Sequence, residues 1–88
     1  MTSAQRLIIA EKLRERLRIA RAEYEGASIY FREVVGDIPG CEPSPDGALI
    51  VQHAGRAARD ALRTYMAALE TLHALRIHGI VPDEFKSR

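Results

Sequence analysis

Apolar residues recur along this chain in alternating steps of three and four. Ala10, Leu17, Tyr24 and Phe31 stand seven apart, and Leu13, Ala20, Ala27 and Val34 interleave with them. Placed at heptad positions a and d, they fill every core slot from 10 to 34. The pattern returns downstream, with Val51, Ala58, Tyr65 and Leu72 at a and Ala54, Ala61, Ala68 and Leu75 at d. Such spacing keeps one stripe of a helix turned toward one neighbour. Both stretches therefore read as long helices of coiled-coil or bundle type. The residue content agrees. Positions 3–35 hold no proline and one glycine, Gly26; positions 45–78 hold no proline after Pro45 and one interior glycine, Gly55. Both are rich in alanine, leucine and arginine, with glutamate mainly in the first, and all four favour helix.

The ends carry signals of their own. Thr2 and Gln5 have the spacing of a capping box. Ser44, Pro45 and Asp46 read as an N-cap, a first-turn proline and a carboxylate on the positive end of the helix dipole. Gly36 and Gly79 each stand where a left-handed C-cap residue belongs, followed by the similar phrases GDIP and GIVP. In each phrase the proline stops the helix and the Ile or Val is expected to fold back on its last turn. The expected domain is thus a single one, 1–88: helix 3–35, turn 36–44, helix 45–78 and a short tail 79–88. Pro39 and Pro43 stiffen the corner, which also holds the lone cysteine, Cys41. The tail is polar after Pro82 and is expected to be mobile or to contact a partner.

Long helices joined by so short a turn pack antiparallel. Centring the turn near Cys41 places Tyr24 near Ala58 and Ala20 near Leu62, bulky residues against small ones. The fold class is all-α, an antiparallel two-helix hairpin. A lone hairpin has one seam and two outer backs, and here the backs are not fully polar. Ile8, Ile19, Ala22, Gly26 and Ile29 lie off the seam of the first helix, and Ile9, Tyr30 and Val35 widen it. On the second, Ile50, Ala57, Leu62 and Leu69 widen the seam, with Met66, Ala67 and Ala74 behind. Two helices cannot bury all of this alone. A homodimer forming a four-helix bundle is expected, with Ile8, Ile19, Ala22, Gly26, Ile29, Tyr30, Leu62, Met66 and Leu69 at its interface. Ala22 and Gly26, four apart, would let two backbones come close.

Charge changes the picture by its distribution. The 88 residues carry a net +1, which gives no global pull toward nucleic acid or anionic membrane. Yet residues 1–21 hold six basic and two acidic side chains, and 22–46 hold one basic and six acidic. The end with both termini should be basic and the tip acidic. Arg14, Arg18 and Arg21 could form a polyanion-binding face, as in helical hairpins that bind RNA through paired first helices, and Arg56, Arg59 and Arg63 form a second cluster. Against this, the same arginines have Glu11, Glu15 and Glu25 within reach along the helix, and no aromatic set interleaves with them. Nucleic acid is therefore not the favoured partner.

Chemistry is sparse. Glu70 to His73 matches the Glu-x-x-His motif of di-iron bundles, but heptad phase puts both on the outer side, so no metal site is expected. His53, His73 and His78 lack zinc spacing, and Ala57 and Arg56 hold the places where His53 would need a partner. His78 at the end of the second helix suits the dipole. Cys41 has no neighbouring histidine to activate it, so no catalytic residue and no cofactor are expected. Ser44-Pro45 is better explained as a cap than as a phosphorylation site. Apolar runs are far too short to span a bilayer, and the N-terminus lacks the form of a secretory signal, so a cytoplasmic setting and no membrane partner are expected. The expected function is a small non-catalytic interaction or adaptor module acting as a homo-oligomer, with an unidentified protein partner. An RNA-binding regulator is the alternative, and a metal-binding bundle a remote one.

Overall fold

The computed structural model describes residues 2–37 and 45–86. Helix α1 runs Ser3–Asp37 and helix α2 runs Pro45–His78. They lie antiparallel as a rod of 61 × 19 × 18 Å, and a 3-10 turn, Asp83–Phe85, follows. The protein is an all-α helical hairpin. The roles expected of Pro39, Cys41, Pro43 and Ser44 lie outside the described residues, as does the side chain of Asp46.

All sixteen a and d residues are buried or half-buried, so the 3–4 periodicity is the seam between the helices. The core is thin. Its fully buried large side chain is Leu13, and four of its eight buried members are alanines. Alanine lets the backbones approach but removes little apolar surface from water. The thicker part lies at the end where the described chain begins and finishes, where Ile9, Ala10, Leu13, Leu72 and Leu75 cluster. Toward the tip, aromatic contacts take over. Tyr24 stacks on Tyr65, with ring centroids 5.9 Å apart and planes at 17°. Phe31 lies over Gly55, whose missing β-carbon would meet the ring at 3.2 Å.

These contacts correct the turn-centred pairing. Tyr24 and Ala58 do line one groove, but the Tyr24 ring stacks on Tyr65. The ring contact lies further along α2 than the turn-centred pairing places it, because side chains lean toward the N-terminus of their own helix and the two leans add in an antiparallel pair.

The first helix begins on a reciprocal capping box. The Thr2 N–H donates to Gln5 Oε1 at 2.8 Å, and the Gln5 N–H donates to Thr2 Oγ1 at 3.2 Å. The second helix ends on Gly79 at φ 67°, with the Gly79 N–H donating to Leu75 O and that of Ile80 to Ala74 O, both at 3.1 Å. The left-handed conformation is accessible to glycine at no steric cost. Gly36 departs from the expected C-cap: it is helical, with no positive φ, and α1 continues to Asp37. A glycine weakens a helix without ending it. GDIP and GIVP therefore do not mark equivalent ends.

The tail also differs from expectation. Val81 and Phe85 pack on the core cluster beside Leu17. Arg16 donates to both carboxylate oxygens of Glu84, at 2.6 and 3.1 Å. The Lys12 ammonium and the Arg16 guanidinium stand 5.8 and 5.6 Å from the centre of the Phe85 ring. Apolar burial and a two-point ion pair, with cations over an aromatic face, hold this segment on α1. The fold-back expected of GIVP is made by Val81, while Ile80 stays exposed.

Candidate interaction surface

In an antiparallel pair, the e positions of both helices border the seam on one side and the g positions border it on the other. The two sides of this hairpin differ. On the g side Arg16 is taken by Glu84, and Val81 and Phe85 of the tail pack on the core cluster that includes Ile9. A shallow groove near that tail is lined by Glu70, Thr71, Ala74, Ile80 and Pro82, one acid and no base.

On the e side lie two grooves. One, near the termini, includes Arg6, Leu7, Arg14 and Arg76; the other, toward the tip, includes Phe31, Arg32, Arg59 and Leu62. Five arginines line the two grooves, and no acid does. Arg14 is paired with Glu11. Arg6, Arg32, Arg59 and Arg76 make no ion pair among the described residues. Between the two grooves, Leu62, Met66 and Leu69 form an exposed ridge along α2.

Four of the six arginines first read as a polyanion face are engaged within their own helices. Arg14 pairs with Glu11, Arg18 with Glu15 at 2.6 Å, Arg21 with Glu25 at 3.0 Å and Arg63 with Asp60 at 3.5 Å. The Arg18 guanidinium holds the Glu15 carboxyl below its ordinary range through a side-chain hydrogen bond. Only Arg56 and Arg59 of that set are unpaired among the described residues, and Arg59 alone borders an e-side groove. The unpaired arginines of this face, Arg6, Arg32 and Arg76, escaped a reading based on clusters along the chain. For Arg32 and Arg76 the signal was present in heptad phase: Arg32, like Arg59, is at b and Arg76 is at e, positions that an antiparallel pair brings to one side, whereas Arg6 falls at d.

Every residue of the expected oligomer interface is exposed: Ile8, Ile19, Ala22, Gly26, Ile29 and Tyr30 on α1, and Leu62, Met66 and Leu69 on α2. They do not form one patch. Ile19, Ala22, Gly26 and Ile29 follow one another at steps of three and four along the outer back of α1, a second stripe opposite the seam. The Leu62 ridge lies on the e side of α2.

Glu70 and His73 are both exposed on the outer side of α2. His73 meets His78 edge to face, with ring centroids 6.3 Å apart. Among the described residues no three potential metal-ligating side chains converge. Among the described residues no helix is long and apolar enough to cross a membrane. No family model, curated protein or solved structure matches this chain.

Proposed function

We propose that this protein is a non-catalytic helical interaction module that works as a homo-oligomer, hairpin packing on hairpin. The observation that carries this reading is the total surface left outside, together with the large apolar residues that lie on it. The hairpin exposes 6770 Å². A compact chain of this mass would expose about 5,200 Å², so roughly 1,600 Å² is in excess. A standard interface removes about 800 Å² from each partner, and obligate homodimers remove more. The excess is therefore of the size that self-association covers. It is also of the right kind, since Ile8, Ile19, Ile29, Tyr30, Leu62, Met66 and Leu69 are all exposed.

The arginine pairs formed within the helices support this reading over an RNA-binding one. Each pair lowers the positive field that phosphate binding requires. Size-exclusion chromatography with light scattering is the test. A mass of at least two chains at micromolar concentration is the expected result. A helical, cooperatively unfolding monomer at that concentration would refute the proposal.

A further inference from the structure

The outer stripe of α1 and the open face of α2 carry matching patterns, and this match rests on the self-association reading above. Along α1 the stripe reads Glu15, Ile19, Ala22, Gly26, Ile29, Glu33. An acid stands at each end, with small residues at the centre. Along the e side of α2, in reverse chain order, the positions read Arg76, His73, Leu69, Met66, Leu62, Arg59. A base stands at each end, with the exposed apolar side chains Leu69, Met66 and Leu62 at the centre. Steps of three and four alternate in both. The span from Arg59 to Arg76 is about 25 Å at 1.5 Å per residue, and that from Glu15 to Glu33 is about 27 Å.

We infer that α1 of a second copy lies antiparallel on α2, its outer stripe against the Leu62–Met66–Leu69 ridge. In this register Glu33 meets Arg59, Ile29 meets Leu62 and Gly26 meets Met66. Ala22 then meets Leu69, Ile19 meets His73 and Glu15 meets Arg76. The two end contacts are complementary in charge, Gly26 with Met66 and Ala22 with Leu69 are complementary in size, and Ile29 with Leu62 is an apolar pair. Gly26 has open space where its β-carbon would be, so a methionine side chain can enter there. Glu33 and Arg59 each lack an ion-pair partner among the described residues. Each therefore gains one without breaking another. Arg32 stands beside Arg59, and Arg6 beside Arg76, so both ends offer a guanidinium from each helix. Glu15 brings Arg18 with it, which makes that end the weaker of the two.

The two surfaces are on different sides of the hairpin. A copy that docks its α1 stripe on a neighbour keeps its own α2 ridge free, and the neighbour keeps its own stripe free. Such a contact is heterologous. It continues from copy to copy instead of closing as a two-fold dimer. An acidic helix of another protein, RNA and an anionic membrane are the other occupants the arginines would admit. The ridge favours a helix over RNA, because its leucines and methionine offer no stacking surface for bases and the Tyr24 and Tyr65 rings are stacked on each other.

The test uses the full chain and two variants at exposed positions, Gly26→Arg to block the stripe and Met66→Glu to block the ridge. Circular dichroism checks that both remain helical. The expected result has three parts. The mass of the unsubstituted protein rises with concentration beyond two chains. Each variant alone associates at least tenfold more weakly. An equimolar mixture forms a species of two chains and stops there, since one intact stripe meets one intact ridge. Growth of the unsubstituted protein that halts at two chains, or a mixture that stays monomeric, overturns the inference and leaves self-association standing. A monomeric unsubstituted protein overturns both, including one that binds a defined RNA or phosphatidylserine vesicles at low salt.

Discussion

A β-carbon on Gly55 would meet the ring of Phe31 at 3.2 Å, closer than ordinary van der Waals contact. Gly55 is buried within α2, where glycine costs helix stability, and its lack of a side chain is what lets the two helices close on the aromatic ring. The two residues should therefore couple. Gly55→Ala alone sets a gain of about 1 kcal/mol in helix propensity against displacement of the ring, and its net effect should be smaller than that gain. In a Phe31→Ala background the full stabilisation of about 1 kcal/mol should appear. Urea unfolding of the four-member cycle at one protein concentration measures the difference. Equal effects of Gly55→Ala in both backgrounds would show that the contact carries no energy.

Gly26 offers the contrast, since nothing lies within 4 Å of its missing β-carbon. Gly26→Ala should stabilise the isolated hairpin by about 1 kcal/mol through helix propensity. If a neighbour's Met66 enters there, the same substitution should weaken association. Thermal unfolding across a hundredfold range of concentration separates the two. The variant should be the more stable at high dilution and lose that advantage as concentration rises. An advantage that is constant with concentration would place Gly26 outside any interface.

Leu13 is the fully buried large side chain of a core otherwise rich in alanine. Leu13→Ala should cost about 3 kcal/mol, read as a lowered urea midpoint. Leu62→Ala, at an exposed position of the same helical rod, should cost the monomer well under 1 kcal/mol. Similar losses at both sites would mean that the ridge is buried under the conditions of measurement.

The tail should respond to acid. Hydrogen bonds from Arg16 hold the Glu84 carboxyl below its ordinary range. A lowered pKa means that the docked tail prefers the ionised carboxylate. The contribution is complete above the ordinary carboxylate pKa and is lost as pH falls through the lowered value. Both side chains are about half exposed, so the effect is small. Amide hydrogen exchange at residues 80–86 should quicken on acidification after correction for intrinsic rates. Glu84→Gln should quicken exchange already at neutral pH and remove the acid dependence, and an unchanged exchange profile in the variant would assign the docking to Val81 and Phe85 alone.

Much of the hairpin was legible in the chain. Two filled heptad stripes, the Thr2–Gln5 box and Gly79 specify two helices, their inner faces and two of their ends, because periodicity and capping are local properties of a helix. Gly36 misled for the same reason: a glycine permits a left-handed end but does not impose one, and whether a helix stops is decided by what the next turns gain. Of the interaction surface, the sequence supplied the residues without their grouping.

The tertiary structure decided which of them share a side. Arg6 with Arg76, and Arg32 with Arg59, come from different helices and share a groove only because the helices are antiparallel. Arg16 with Glu84, and Phe85 over Lys12 and Arg16, likewise depend on where the tail lands after Gly79. The sequence by itself determined two amphipathic helices, since hydrophobic spacing of three and four acts within one helix. Which arginines remain unpaired, and which apolar stripes stay open to a second copy, depends on register and on the tail. Both are set by the summed packing of many weak contacts across the seam, such as Tyr24 on Tyr65 and Phe31 on Gly55, which no local pattern encodes.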